Sequence, residues 1–219
     1  MKAALAGVVM LIIGDSHIAT TEHFNNLLHD ELLNQGASVH TFGVCNSSPD
    51  DWIVPATIVC GRGERHDAAP AIVRSEHWLR GWALPELIAR YNPNLVVIEL
   101  GDTMAGYGVA PELPRTRIAE QVWLLLESVR SRNLPCIWIG PPWGGEGGPY
   151  KKTYARVKEL SGYLSQLVAP CRYIDSLRFS QPGQWPTRDG VHLTQDATRR
   201  WDADLVRSID QIVAGQPRP

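Results

Sequence analysis

Two stretches of this chain are apolar almost without interruption. Val8 to Ile13 is β-branched at Val8, Val9, Ile12 and Ile13, and Leu95-Val96-Val97-Ile98-Glu99-Leu100 follows the turn Asn92-Pro93-Asn94. A strand that alternates apolar and polar residues can face water on one side, whereas a continuous apolar strand must be covered on both. Parallel sheets meet that need, because their crossover connections lay helices on both faces.

The remaining pattern agrees. Strands are expected at about 8–14, 37–43, 95–100, 136–140 and 172–175, and helices at about 20–35, 115–132, 151–168 and 194–214. Thr20 or Thr21 is the expected N-cap of the first helix, and Gly36 closes it. The expected fold class is therefore α/β. It is a three-layer α/β/α sandwich on a flavodoxin-like, five-stranded parallel sheet of order 2-1-3-4-5. With 219 residues, 44% of them apolar and 20% charged, the chain reads as a single domain over 1–219. The segment at about 44–81 is too long for a plain connection and reads as an insertion holding a short helix.

Met1-Lys2 and the apolar run after it have the outline of a signal peptide. The run is shorter than the ~20 residues of a spanning helix, and it leads directly into Gly14-Asp15-Ser16-His17. We read it as the first strand, with no targeting segment evident. A net charge of −2 leaves no basic field for nucleic acid or an anionic membrane. No GxGxxG or GxxxxGK[ST] occurs, and the seven histidines lack HExxH or CxxC-type metal spacing, so neither cofactor nor metal is expected.

In such a sheet, the residues that follow the strands share the carboxyl edge, where ligands bind. There the chain places Gly14-Asp15-Ser16-His17, Gly43-Val44-Cys45-Asn46 and Gly101-Asp102-Thr103-Met104, with Asp189-Gly190-Val191-His192 before the last helix. Together they contain the parts of a serine acyl-transfer site. Ser16 is the candidate nucleophile, His192 its base, and Asp189 the group that orients His192. The amides of Ser16 and Gly43 and the side chain of Thr103 are the candidate oxyanion donors. His17 and His23 read as polar helix-end residues.

In this order the four blocks resemble the SGNH hydrolase superfamily, the GDSL-like esterases, over essentially the whole chain. The family's serine, glycine, histidine and aspartate match Ser16, Gly43, His192 and Asp189. The family's asparagine falls on Thr103, a departure from the family's pattern at the third oxyanion donor. Asp102 offers a shifted match, but a carboxylate cannot donate to an oxyanion unless protonated.

The four cysteines allow three pairings. Cys136 and Cys171 each open a strand at the amino edge, while Cys45 and Cys60 belong to the insertion at the carboxyl edge. A strand spans roughly 17–20 Å and bridged Cα atoms lie within about 7 Å, so the expected pairs are Cys45–Cys60 and Cys136–Cys171. Formed bridges would mean a periplasmic or secreted protein; four free thiols would mean a cytoplasmic one.

Eight tryptophans stand against three phenylalanines. Trp52, Tyr107, Trp143 and Trp185 fall on segments near the carboxyl edge and are the candidate substrate-binding rings, suited to stacking on sugars. Within the superfamily the chain looks most like bacterial polysaccharide O-acetyl esterases and O-acetyltransferases of alginate and cellulose acetylation systems. That resemblance implies an acetyl-serine intermediate, an acetyl donor, a polysaccharide acceptor, and partner proteins of an exopolysaccharide acetylation system. The alternatives are a dedicated carbohydrate O-acetyl esterase and a non-catalytic carbohydrate-binding member of such a system.

Overall fold

Both apolar runs lie at the centre of one sheet. The computed structural model describes residues 5–19, 24–58, 60–76 and 78–215. In chain order its elements are β1 (Val9–Gly14), α1 (Asn26–Asn34), β2 (Ser38–Val44), β3 (Thr57–Ile58), β4 (Arg62–His66), β5 (Ile72–Arg74) and β6 (Leu79–Arg80). Then follow α2 (Leu84–Tyr91), β7 (Leu95–Glu99), α3 (Arg115–Arg130), β8 (Cys136–Ile139), α4 (Tyr154–Leu167), β9 (Arg172–Ile174) and α5 (Gln195–Ala214). Strands β2, β1, β7, β8 and β9 run parallel side by side.

Alternation along the strands divides the core in two. Leu11, Ile13, Val96, Ile98 and Trp138 face α2, α3 and α4. Met10, Ile12, Val97, Ile137 and Ile139 face α1 and α5 on the other side. Each such side chain contributes about 1.5–3 kcal/mol on full burial, which is why neither central strand can admit a polar face.

The sheet has seven strands rather than five. The 44–81 segment contributes β4, antiparallel to β2, and β5, antiparallel to β4, while β3 and β6 form a separate ribbon. Among its described residues the helical content is a single 3-10 turn, Pro49–Trp52. The sequence Arg62-Gly-Glu-Arg-His66 has no apolar periodicity because most of β4 is only partly buried near the sheet's edge, so the pattern that marks a half-buried strand is missing.

Helix α1 starts later than expected. Asn25 is its N-cap, its side chain accepting from Leu28 N at 3.3 Å. The expected caps Thr20 and Thr21, and His23, lie outside the described residues. Both expected disulfides are formed, with Cα separations of 5.6 Å for Cys45–Cys60 and 4.5 Å for Cys136–Cys171. Among the described residues, no helix is long and apolar enough to cross a membrane.

Candidate active site

The chain turns sharply after β1. The amides of Ile18 and Ala19 both donate to Asp15 O at 3.1 Å, and His17 N donates to Asp15 Oδ1 at 2.9 Å. Gly14 permits this turn, because a Cβ there would lie 2.2 Å from Ile18 Cγ1. Ser16 sits on the turn at the carboxyl edge and is only 9% exposed.

The segment before α5 supplies the other half. Asp189 Oδ1 accepts the amides of Val191 and His192 at 3.0 and 2.8 Å, which fixes the loop around its own side chain. Its Oδ2 lies 2.6 Å from His192 Nδ1, and His192 Nε2 lies 2.8 Å from Ser16 Oγ. Burial pushes the Asp189 carboxyl up, but the bonds from the His192 ring and amide outweigh it and hold the group below its ordinary value. An ionised Asp189 can only accept, so Nδ1 carries the proton and Nε2 receives the Ser16 hydroxyl. Burial, reinforced by nearby His17, holds the His192 imidazole below its ordinary value against the opposing pull of Asp189. Such a ring is neutral at pH 7 and free to take a proton.

The third block is built differently from the expectation. Thr103 Oγ1 donates to Ser47 O at 2.8 Å. A hydroxyl has one proton to donate, so Thr103 is not an oxyanion donor as it stands. Gly43 is also turned away. It pairs with Gly63 of β4 in the register that gives Cys45 N→Gly61 O and Asp67 N→Val39 O. Hydrogen-bonded pairs alternate along an antiparallel ladder, so the Gly43 N–H faces Gly63 rather than β1. Its lack of a side chain has a packing reason, because a Cβ would lie 2.5 Å from that of Ala19.

Asp102, in contrast, anchors a sealed polar cluster beside Ser16. Its carboxylate accepts from Lys152 Nζ at 2.8 Å, Tyr107 OH at 2.7 Å and His17 Nε2 at 3.0 Å. Lys152 is fully buried and also donates to Pro142 O at 3.0 Å. Burial alone would raise the Asp102 carboxyl, but the Lys152 ammonium and His17 hold it far below its ordinary value. It is therefore ionised and no oxyanion donor. Burial and the Asp102 charge drive the Tyr107 phenol far above its usual range. Beneath the Ser16 turn, burial and the neighbouring Asp15 hold the Glu99 carboxyl well above its ordinary value.

The four expected substrate rings each have partners within the protein. Trp52 is fully buried and donates to Ser47 Oγ at 3.1 Å, and Trp185 belongs to the core beneath α5. Trp143 donates to Leu177 O at 2.9 Å and packs edge-on against Tyr154, while Tyr107 holds Asp102. The ring at the site mouth is Tyr150, 48% exposed and edge-on to His192 at 5.9 Å between centroids. Sequence reasoning missed Tyr150, Lys152 and the pairing of His17 with Asp102. The pair Lys151-Lys152, in a chain with so few lysines, was the one available signal.

The fold is that of the SGNH, or GDSL-like, hydrolases. The architecture is similar to that of the psychrotrophic esterase EstA from Pseudoalteromonas sp., with TM-score 0.60 and 14% identity, covering 94% of this chain and 99% of that one. It is also similar to the acetylxylan esterase Axe2 from Geobacillus stearothermophilus, with TM-score 0.56 and 14% identity over 95% and 96% of the two chains. No family model matches the chain. By sequence it belongs to the family of Protein BcsX from Komagataeibacter xylinus, which is 38% identical over 224 residues, 100% of this chain and 84% of that protein.

Proposed function

We propose that Ser16 carries an acetyl group from a donor to a hydroxyl of an exopolysaccharide. The observation behind this reading is the continuous hydrogen-bond chain from Ser16 Oγ through His192 to Asp189. Ser16 Oγ attacks the donor's acetyl carbonyl as its proton passes to His192 Nε2, and Asp189 stabilises the imidazolium. The bond from the carbonyl carbon to the leaving group breaks, and His192 returns the proton to that group. An acceptor hydroxyl then attacks acetyl-Ser16, delivers its proton to His192, and departs as the acetyl ester while Ser16 recovers a proton. A dedicated esterase differs only in that water attacks.

Oxyanion donation falls to the amides of Ser16 and Asn46. The Thr103–Ser47 bond ties the turn after β2 to the turn after β7, and β1 lies between those strands. The tied turn thus crosses the end of β1 that carries Ser16, and Asn46 occupies it with a left-handed φ of 60°. Two disulfides support an oxidising compartment, the periplasm or the cell exterior. The acetylated polysaccharide named for Axe2 supports a carbohydrate ester as the substrate class.

Intact-mass analysis after incubation with an activated acetyl ester tests the reading. One added acetyl group is expected on the native protein, and none on Ser16→Ala. Turnover should fall by about three orders of magnitude or more in Ser16→Ala and His192→Ala, because triad members act as a unit. An adduct that persists in Ser16→Ala overturns the reading. Mass spectrometry of glucan oligomers mixed with donor then separates the two fates: acetylated oligomer that requires Ser16 supports transfer, and free acetate alone leaves the esterase.

A further inference from the structure

A cleft of about 720 Å³ lies where the N-terminal ends of α1 and α5 meet, within the roughly 300–1,000 Å³ typical of small-ligand sites. It adjoins the small cavity lined by Ser16, His17 and His192, with Arg188, Leu193 and Thr198 lining both. A ligand seated in it would touch Thr198, which also lines the cavity of Ser16.

The cleft's chemistry is specific. The amides of Asn26 and Gln195 and the hydroxyl of Thr198 offer donors and acceptors over a floor that includes Phe24 and Leu193. One wall is held in place from the far side. Arg65 of β4 donates to Asn26 Oδ1 at 2.9 Å and to Asp30 Oδ1 at 2.6 Å, while its Nε donates to Ala69 O at 2.9 Å. At the base, Asp202 has no solvent exposure; its Oδ1 accepts from Asn25 Nδ2 at 2.9 Å, and its Oδ2 has no partner among the described residues. Asp30 pairs with Arg65 and Arg199 with Asp196, and Arg188 is likewise engaged within the protein. Burial pushes the Asp202 carboxyl up to about 7, which reduces its charge as well. The lining therefore suits a neutral, polyhydroxylated ligand. An acyl chain would need a continuous aliphatic wall, and an anionic glycan would need unpaired cations.

We propose that this cleft seats the sugar unit of a neutral polysaccharide whose hydroxyl exchanges the acetyl group at Ser16, an inference that rests on Ser16 being the acyl carrier. The 44–81 segment then has a purpose: through Arg65 it builds the wall that presents Asn26.

Calorimetric titration of the Ser16→Ala protein with cellotetraose tests this without turnover. Binding is expected, and Gln195→Ala and Thr198→Val placed in that background should each weaken it about tenfold, the equivalent of one net hydrogen bond. Trp123→Ala, on the outer face of α3, should leave it unchanged. Circular dichroism melts confirm that each variant is folded. Absent cellotetraose binding, unchanged binding in both cleft variants, or clear preference for an oligomannuronate would overturn the proposal. The acetyl adduct on native Ser16 is measured separately, so its loss would sink the acyl-carrier reading and leave the binding result standing.

Discussion

Two polar clusters flank Ser16, and they differ in almost every physical respect. On one side His192 and Asp189 form a partly exposed pair, with side chains 13% and 26% accessible. On the other side Asp102, His17 and Lys152 form a sealed cluster whose side chains are all 5% accessible or less. The first is local in sequence, since Asp189 and His192 are three residues apart and the loop folds around its own aspartate. The second is assembled from residues 17, 102, 107 and 152, which meet only because β1, β7 and the segment before α4 converge at one sheet edge. The open pair suits a proton that must come and go. The sealed cluster holds a charge that must stay where it is.

The largest expected effect breaks the sealed cluster. Lys152→Met leaves Asp102 ionised and buried without its main counter-charge, and removing one partner of a buried pair costs about 3–5 kcal/mol. A strongly lowered denaturation midpoint is the expected outcome. Adding Asp102→Leu should recover part of the loss, because the uncompensated charge is then gone. An unchanged midpoint in Lys152→Met would mean that the ion pair contributes nothing net. His192→Ala provides the contrast, being expected to abolish turnover with little change in the midpoint.

This contrast also explains how much could be read from the chain alone. The parallel sheet was legible because burial on both faces leaves an unbroken apolar run in β1 and β7. The Ser16–His192–Asp189 chain was legible because its parts are short blocks at strand ends. Strand β4 was hidden because most of it is only partly buried and it carries Arg, Glu and His. Lys152 was hidden because nothing local distinguishes a lysine that folds inward from one that stays in water. Thr103 shows a third kind of limit. Whether its hydroxyl faces an oxyanion or a neighbouring carbonyl is decided by the turn it meets, here Ser47.

Thr103→Val is accordingly expected to have a smaller effect than Lys152→Met. It deletes the bond to Ser47 O and leaves that carbonyl without the donor, a loss of about 1–3 kcal/mol. If the tied turn carries an oxyanion donor, kcat should fall while KM changes little, and Thr103→Ser should restore it because the hydroxyl returns. A normal kcat in the valine variant would show that the turn holds its place without this bond.

The smallest expected effect links the two clusters. The proposed turnover needs neutral His192, and the ring's folded value lies below the ordinary imidazole value of about 6.5. Activity should therefore persist as the pH falls through 6.5 and be lost only as it falls through the lower value. An acidic limb of kcat/KM lying above 6.5 would contradict the structure. Among the contributions that depress His192, burial is the largest and His17 the next, with the two rings 5.6 Å apart. His17→Gln keeps a donor for Asp102 but removes the imidazole that faces His192. The limb should then move upward toward 6.5, without the collapse in turnover that follows loss of His192 itself. A limb that stays fixed would mean that the sealed cluster shapes the site through packing and does not tune its base.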